Sequence, residues 1–208
     1  MSFNEKQVLI LQTAEELFAK KGFEGTSVRD IADEAKVNVA MISYYFGSKE
    51  KLLESLFEYR RDSALTAVRN LLHDKQSSTM QKVYTLIDFY IDRIQGNTCF
   101  HRLMMREQVT LRPNTTKLIF DYKKQNQAMI EELIAEGQKK GEFKKHIEVP
   151  LMMATLVGTV SHVVTSEFYY REVNNLQHLS EEEFNTLIKK KLSTHLKKLF
   201  KAILTYEE

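Results

Sequence analysis

The chain is poor in the residues that interrupt or cross-link a fold. It has a single cysteine, Cys99. No disulfide can close within it, which excludes a stapled secreted scaffold and fits a reducing compartment. Cys99 reads as a core or partly buried thiol rather than a sensor. Only two prolines and seven glycines occur among 208 residues, so little stops long helices from running. No apolar run is long enough to span a bilayer. The longest, Leu151 to Thr165, is interrupted by threonine, serine and histidine. The opening MSFNEKQ lacks a basic segment followed by an apolar one, so no signal peptide, no membrane partner and a cytoplasmic location are expected. Nor is there a surplus of one charge, with 30 basic against 28 acidic residues. Residues 1–60 hold eight basic and ten acidic side chains, a local balance of −2. The strong basic patch common in nucleic-acid binders is absent from them. Catalytic motifs are missing too: no GxSxG, HExxH, CxxC or phosphate loop. The six histidines are scattered without metal-ligand spacing. No enzyme, metal or cofactor is expected.

What is present is helical periodicity, and it centres on Thr26 to Lys49, TSVRDIADEAKVNVAMISYYFGSK. Val28, Ile31, Ala32 and Ala35 fall on one face of a short helix, with Thr26 or Ser27 as cap and Ser27–Asp30 as a capping box. Lys36 and Val37 turn the chain. Asn38 caps a second helix, Val39 to Tyr45, that points Ile42, Phe46 and part of Met41 inward. Val39, Ala40, Ser43 and Tyr44 stay outside. This is the layout of a helix-turn-helix, whose second helix enters the major groove. Spacing alone fits an ordinary pair of packed helices equally well.

Residues 8–56 resemble the N-terminal domain of the TetR family of transcriptional regulators. The matching pieces are IL..AEELFAKKGFEGTSVRDIADEA (Ile10–Ala35), Val37, ISYYF (Ile42–Phe46) and SKEKLLESL (Ser48–Leu56). The resemblance implies that residues 1–50 bind DNA and that residues 51–208 form a helical effector and dimer domain. Thr26, Ser27, Tyr45 and Lys49 would then position phosphates, while Val39, Ala40, Met41, Ser43 and Tyr44 approach or read bases. Two departures from the family pattern stand out. Lys36 occupies a turn position usually held by glycine, so it is expected in left-handed backbone space at a cost of about 1–2 kcal/mol. Val39 replaces the usual lysine, leaving no cation on the recognition helix to bind guanine. The contacted bases are therefore expected to be thymine-rich.

The rest of the chain reads as further helices, making an all-α protein of about nine. The first runs from about Asn4 to Lys21 and stops at Gly22. The fourth runs from Ser48 to about Leu72, long enough to serve both domains. Helices follow at Ser78–Gln95, from Thr98, at Thr115 or Thr116 to Lys140, at Val149–Tyr170 and after Ser180. In the family the last two long helices pair with their symmetry mates. Here they carry Leu156, Val160, Val163, Val164, Leu192, Leu196, Leu199, Phe200 and Ile203, the expected homodimer face. An effector pocket would take its lining from Phe100, Met104, Met105, Phe120, Tyr122, Met129, Met153, His162, Phe168 and Tyr169. Methionine and aromatic residues suit a small apolar or amphipathic ligand. The functional expectation is a homodimeric repressor of a palindromic double-stranded operator that releases it when an effector binds. The alternative is a DNA-bound adaptor without an effector, acting through a protein partner.

Overall fold

The computed structural model describes residues 3–205. Ten helices order those residues, with no strand among them: α1 Glu5–Lys21, α2 Val28–Glu34, α3 Val39–Phe46, α4 Lys49–Leu72, α5 Thr79–Gly96, α6 Thr98–Thr110, α7 Pro113–Lys139, α8 Val149–Thr165, α9 Glu167–Val173 and α10 Glu181–Leu204. Among the described residues, no single helix is long and apolar enough to cross a membrane.

Local chemistry explains the helix ends. Asn4 and Gln7 form a capping box at the start of α1, each side chain accepting the other's backbone N–H. Gly22, at φ +81°, ends that helix by donating its N–H to the Phe18 carbonyl. Ser180 and Glu183 cap α10 in the same reciprocal way. Pro113 begins α7 earlier than the expected Thr115 or Thr116. At the first helical position its missing N–H would have had no helical partner.

The expected unbroken helix Val149–Tyr170 is corrected to two pieces, α8 and α9, bent by 79°. The break follows a run of β-branched residues. Thr165 Oγ1 donates to the Ser161 carbonyl at 2.7 Å, and Ser166 N–H caps onto the His162 carbonyl. Hydroxyls that bind nearby backbone in this way compete with helix continuation. The break supplies the tenth helix.

The chain packs as two compact units. The first takes residues up to 66 together with 99–125, and the second takes 67–98 together with 126 onward. This differs from the division at residue 50 expected from sequence, because α6 and the start of α7 pack with the N-terminal helices. Phe100, Leu103 and Ile119 enter one core with Ile10, Leu11, Phe18, Ile42, Leu52 and Phe57. The second unit's core includes Ile87, Ile91, Ile130, Leu133, Leu156, Val160, Phe184, Leu196 and Phe200.

Most residues of the expected dimer face lie in that second core. Leu156, Val160, Leu192, Leu196 and Phe200 are all buried inside their own chain, with Val163 nearly so. Val164, Leu199 and Ile203 are half-buried. The stripes were real, but they cover α5 and each other. What α8 turns outward is Leu151, Ala154, Gly158, His162 and Thr165, spaced along one side of the helix.

Candidate nucleic-acid interface

The helices that would read DNA are capped at their N-termini by side chains and closed at their C-termini by backbone bonds. Ser27 Oγ accepts the Asp30 N–H at 3.0 Å, and Asp30 Oδ2 accepts the Ser27 N–H at 2.7 Å and hydroxyl at 2.6 Å. The hydroxyl bond first, then the backbone N–H, holds the Asp30 carboxyl below its ordinary pKa. The turn closes with Val37 N–H on the Ala32 carbonyl at 2.9 Å. Lys36 sits at φ +53°, the left-handed conformation expected where a glycine is missing. Asn38 Oδ1 accepts the Ala40 N–H at 2.8 Å and starts α3. Gly47, at φ +79°, ends it.

The inner side of α3 is fixed by buried Ile42 and Phe46, with Met41 half-buried. Val39, Ala40, Ser43 and Tyr44 are exposed, Tyr44 to 83%. Tyr45 is half-buried against the unit's core, its ring 5.3 Å from that of Tyr44. The outward face of α3 therefore offers methyl groups and hydroxyls and no cation. Such a surface can pack on thymine methyls and bond to base edges or phosphates, but it cannot make the bidentate arginine contact to guanine.

Two of the expected phosphate contacts are placed differently. Thr26 is 1% exposed, and its hydroxyl donates to the carbonyls of Gly22 at 2.8 Å and Leu17 at 3.2 Å. It closes the loop after α1 instead of facing outward. Ser27, beside it, is exposed. Lys49 Nζ donates to the Phe23 carbonyl at 2.9 Å and the Thr26 carbonyl at 3.0 Å, and lies 4.2 Å from the centre of the Phe23 ring. Its ammonium braces the same loop. These contacts span more than 20 residues of chain, so local pattern could not reveal them. Exposed cations near α2 and α3 include Arg29, Lys36 and Lys51. Sequence reasoning passed over them, although each flanks a helix terminus of the motif.

The ten expected pocket residues are divided between the two units. Phe100, Met104, Met105, Phe120 and Tyr122 belong to the first unit, and Met129, Met153, His162, Phe168 and Tyr169 to the second. Phe100 is buried and Met104 half-buried in the first core. Met129 and Met153 pack against the second. Met105, Phe120, His162, Phe168 and Tyr169 are exposed.

A capped two-helix reader, braced from α1 and α4 and followed by a second helical unit, defines a helix-turn-helix transcriptional regulator. Comparison with known proteins makes the assignment specific. Residues 10–56 match the bacterial regulatory proteins of the tetR family, and residues 57–190 match the C-terminal region of YsiA-like proteins. The chain belongs to the TetR family of transcriptional regulators.

Among its relatives, the probable HTH-type transcriptional regulator YttP of Bacillus subtilis is 32% identical over 139 residues, 64% of this chain and 65% of YttP. The match thus spans slightly less than two thirds of YttP. The HTH-type transcriptional repressor NicS of Pseudomonas putida is 31% identical over 159 residues, 71% of each chain. The crystal structure of the regulator FadR from Bacillus subtilis, solved with stearoyl-CoA, shares the fold. Its TM-score is 0.65 at 23% identity, over 91% of this chain and 96% of that one.

Proposed function

We propose that this regulator is a ligand-responsive repressor that binds a palindromic operator as a homodimer and releases it on binding a small apolar or amphipathic effector. The carrying observation is the outward face of α3, where Val39, Ala40, Ser43 and Tyr44 stand exposed on a helix whose other side is fixed in a core. Exposed side chains on a rigid short helix are what base reading needs. Val39, Ala40, Met41, Ser43 and Tyr44 approach the bases, and Ser27 and Tyr45 bind phosphate. Lys36 and Lys51 add charge at the two ends of α3. Thr26 and Lys49 act one step back, by holding the loop that carries Ser27.

The outward stripe of α8, with its small residues Ala154 and Gly158, provides the homodimer contact. Residues already buried within the chain have no surface left to give. An amphipathic acyl effector is supported by the stearoyl-CoA complex of FadR, which shares the fold. Release is a population shift: an effector weakens DNA binding by as much as it prefers the form with misplaced readers.

The test is selection of random duplex DNA by the purified chain at moderate salt, followed by competition with stearoyl-CoA. A palindrome, thymine-rich under α3 and lost on adding stearoyl-CoA, supports the proposal. A site with obligatory guanines opposite α3 contradicts the readout assigned to it. A palindrome indifferent to acyl-CoA contradicts the effector class alone.

A further inference from the structure

We infer that Arg112, in the corner between α6 and α7, is a positioning residue for the DNA-reading helices, acting by clamping the loop between α1 and α2. The inference rests on the reading of α2 and α3 as the DNA reader. It adds the element that sets their pose.

The loop from Gly22 to Ser27 has few bonds of its own: a 3.3 Å backbone bond from Thr26 to Phe23 and the two bonds of the Thr26 hydroxyl. Three cations supply further constraint. Lys49 belongs to the reader itself, one helix on. The other two come from α6 and its end, more than 80 residues away in sequence. Arg106 Nη1 donates to the Phe18 carbonyl at the end of α1 at 3.3 Å. Arg112 does more. Its guanidinium carbon lies 4.4 Å from the centre of the buried Phe23 ring, Nη2 donates to Glu24 Oε1 at 2.8 Å, and Nη1 donates to Glu107 Oε1 at 2.5 Å.

The two ends of this clamp differ in stiffness. Glu107 is fully buried, and its other oxygen, Oε2, has no hydrogen-bond partner among the described residues. A carboxylate in that setting depends heavily on the cation it has, which pins Arg112 to α6. Glu24 is largely exposed, so its bond to Arg112 is soft and screened by water. The grip on the loop is therefore mostly the flat guanidinium against Phe23, supplemented by Glu24. Leu111, just before Arg112, has φ +56°, and its side chain is mostly solvent-exposed. Neither glycine freedom nor side-chain burial accounts for that strained backbone. It does turn the chain so that Arg112 can reach Glu107 and Phe23 together. A change in the α6–α7 corner therefore moves the loop that carries Ser27, the cap of α2.

The experiment uses the full chain. Simply truncating Arg112 strands a buried carboxylate, so the main variant is the pair Glu107→Gln with Arg112→Met. Arg112→Lys serves as the conservative control that keeps a charge but loses the planar fork. Amide hydrogen exchange is read in peptides covering residues 22–37 and 149–165. With local opening easier, exchange in 22–37 should rise about tenfold in the pair, and by an intermediate factor in Arg112→Lys, while 149–165 is unchanged. Affinity for DNA selected by the wild-type chain should fall in the same order.

Unchanged exchange in 22–37, or an equal rise in both segments, overturns the inference. Arg112→Lys matching the double variant would overturn the weight given to the planar fork. If wild-type protein binds no DNA, the regulator reading fails even where the loop still responds. Loop exchange that does not respond, with wild-type binding intact, removes only the role given to Arg112.

Discussion

Replacing Arg60 by methionine should destabilise the first unit far more than removing an equally well-formed ion pair from the surface. Glu15 on α1 and Arg60 on α4 meet in a two-pronged pair, Nε to Oε2 at 2.7 Å and Nη2 to Oε1 at 2.8 Å. The side chain of Glu15 is 5% accessible and that of Arg60 is 27%. Methionine replaces the apolar stem but leaves the Glu15 carboxylate buried without its cation. Breaking a buried pair from one side costs about 3–5 kcal/mol. Partial water access on the Arg60 side places this case near the lower end, about 3 kcal/mol. With a urea dependence of about 1–3 kcal/mol per molar, the midpoint for the first unit should drop by about 1–3 M.

Urea titration read by amide signals from α1 and α4 isolates that unit from the other. The comparison is Lys189→Met, which removes a 2.5 Å bond to Asp92 between side chains about half exposed. An exposed pair of this kind contributes about 0–1 kcal/mol. The double variant Glu15→Leu with Arg60→Met should recover most of the loss, since no buried charge is then left alone. The reasoning is refuted if Arg60→Met costs no more than Lys189→Met, or if the double variant is no more stable than the single.

Three further expectations follow from other parts of the molecule. Gly137→Ala should cost about 1–3 kcal/mol, because a Cβ there would lie 2.2 Å from the buried Phe143 ring; thermal unfolding of the second unit measures it. The capping carboxyls of Asp30 and Glu183 are held below their ordinary pKa by Ser27 and Ser180 respectively, so their bonds are intact above the unfolded value and fade as pH falls through the folded one. Amide signals of residues 30 and 183 should be steady above about pH 5 and shift below about pH 4; shifts confined to neutral pH would contradict this. Tyr44→Ala should change the preference among selected DNA sequences while Tyr45→Phe weakens all of them alike; parallel losses for both variants in a binding titration would remove that division of roles.

Much of this fold was legible because the signals were local. Asn4, Gly22, Ser27 with Asp30, Asn38, Gly47 and Ser180 with Glu183 set helix ends through bonds reaching at most four residues away. Periodicity also separated Ile42 and Phe46 from Val39, Ala40, Ser43 and Tyr44 correctly. It could not say what covers a given stripe. Leu156, Val160, Leu196 and Phe200 looked like an interface between copies and proved to be one chain's core. Thr26 and Lys49 looked available to phosphate because Leu17, a partner of the first, lies nine residues away, and Phe23 and Thr26, the partners of the second, lie 26 and 23 away. Phe100 and Ile119 likewise gave no sign that they complete a core begun by Ile10 and Leu11.

The discontinuity of the first unit bears on how such regulators can be recombined. Its core is assembled from the beginning of the chain and from residues 99–125, with a stretch of the other unit encoded between them. A graft that exchanges only the first fifty or sixty residues would pair a new Leu11 and Phe18 with an old Phe100, Leu103 and Ile119. Drift in one segment must therefore be matched in the other. The tolerated crossover is a two-segment exchange, so inheritance of the reader and of the α6–α7 corner is tied together even though α3 ends at residue 46 and α7 begins at residue 113.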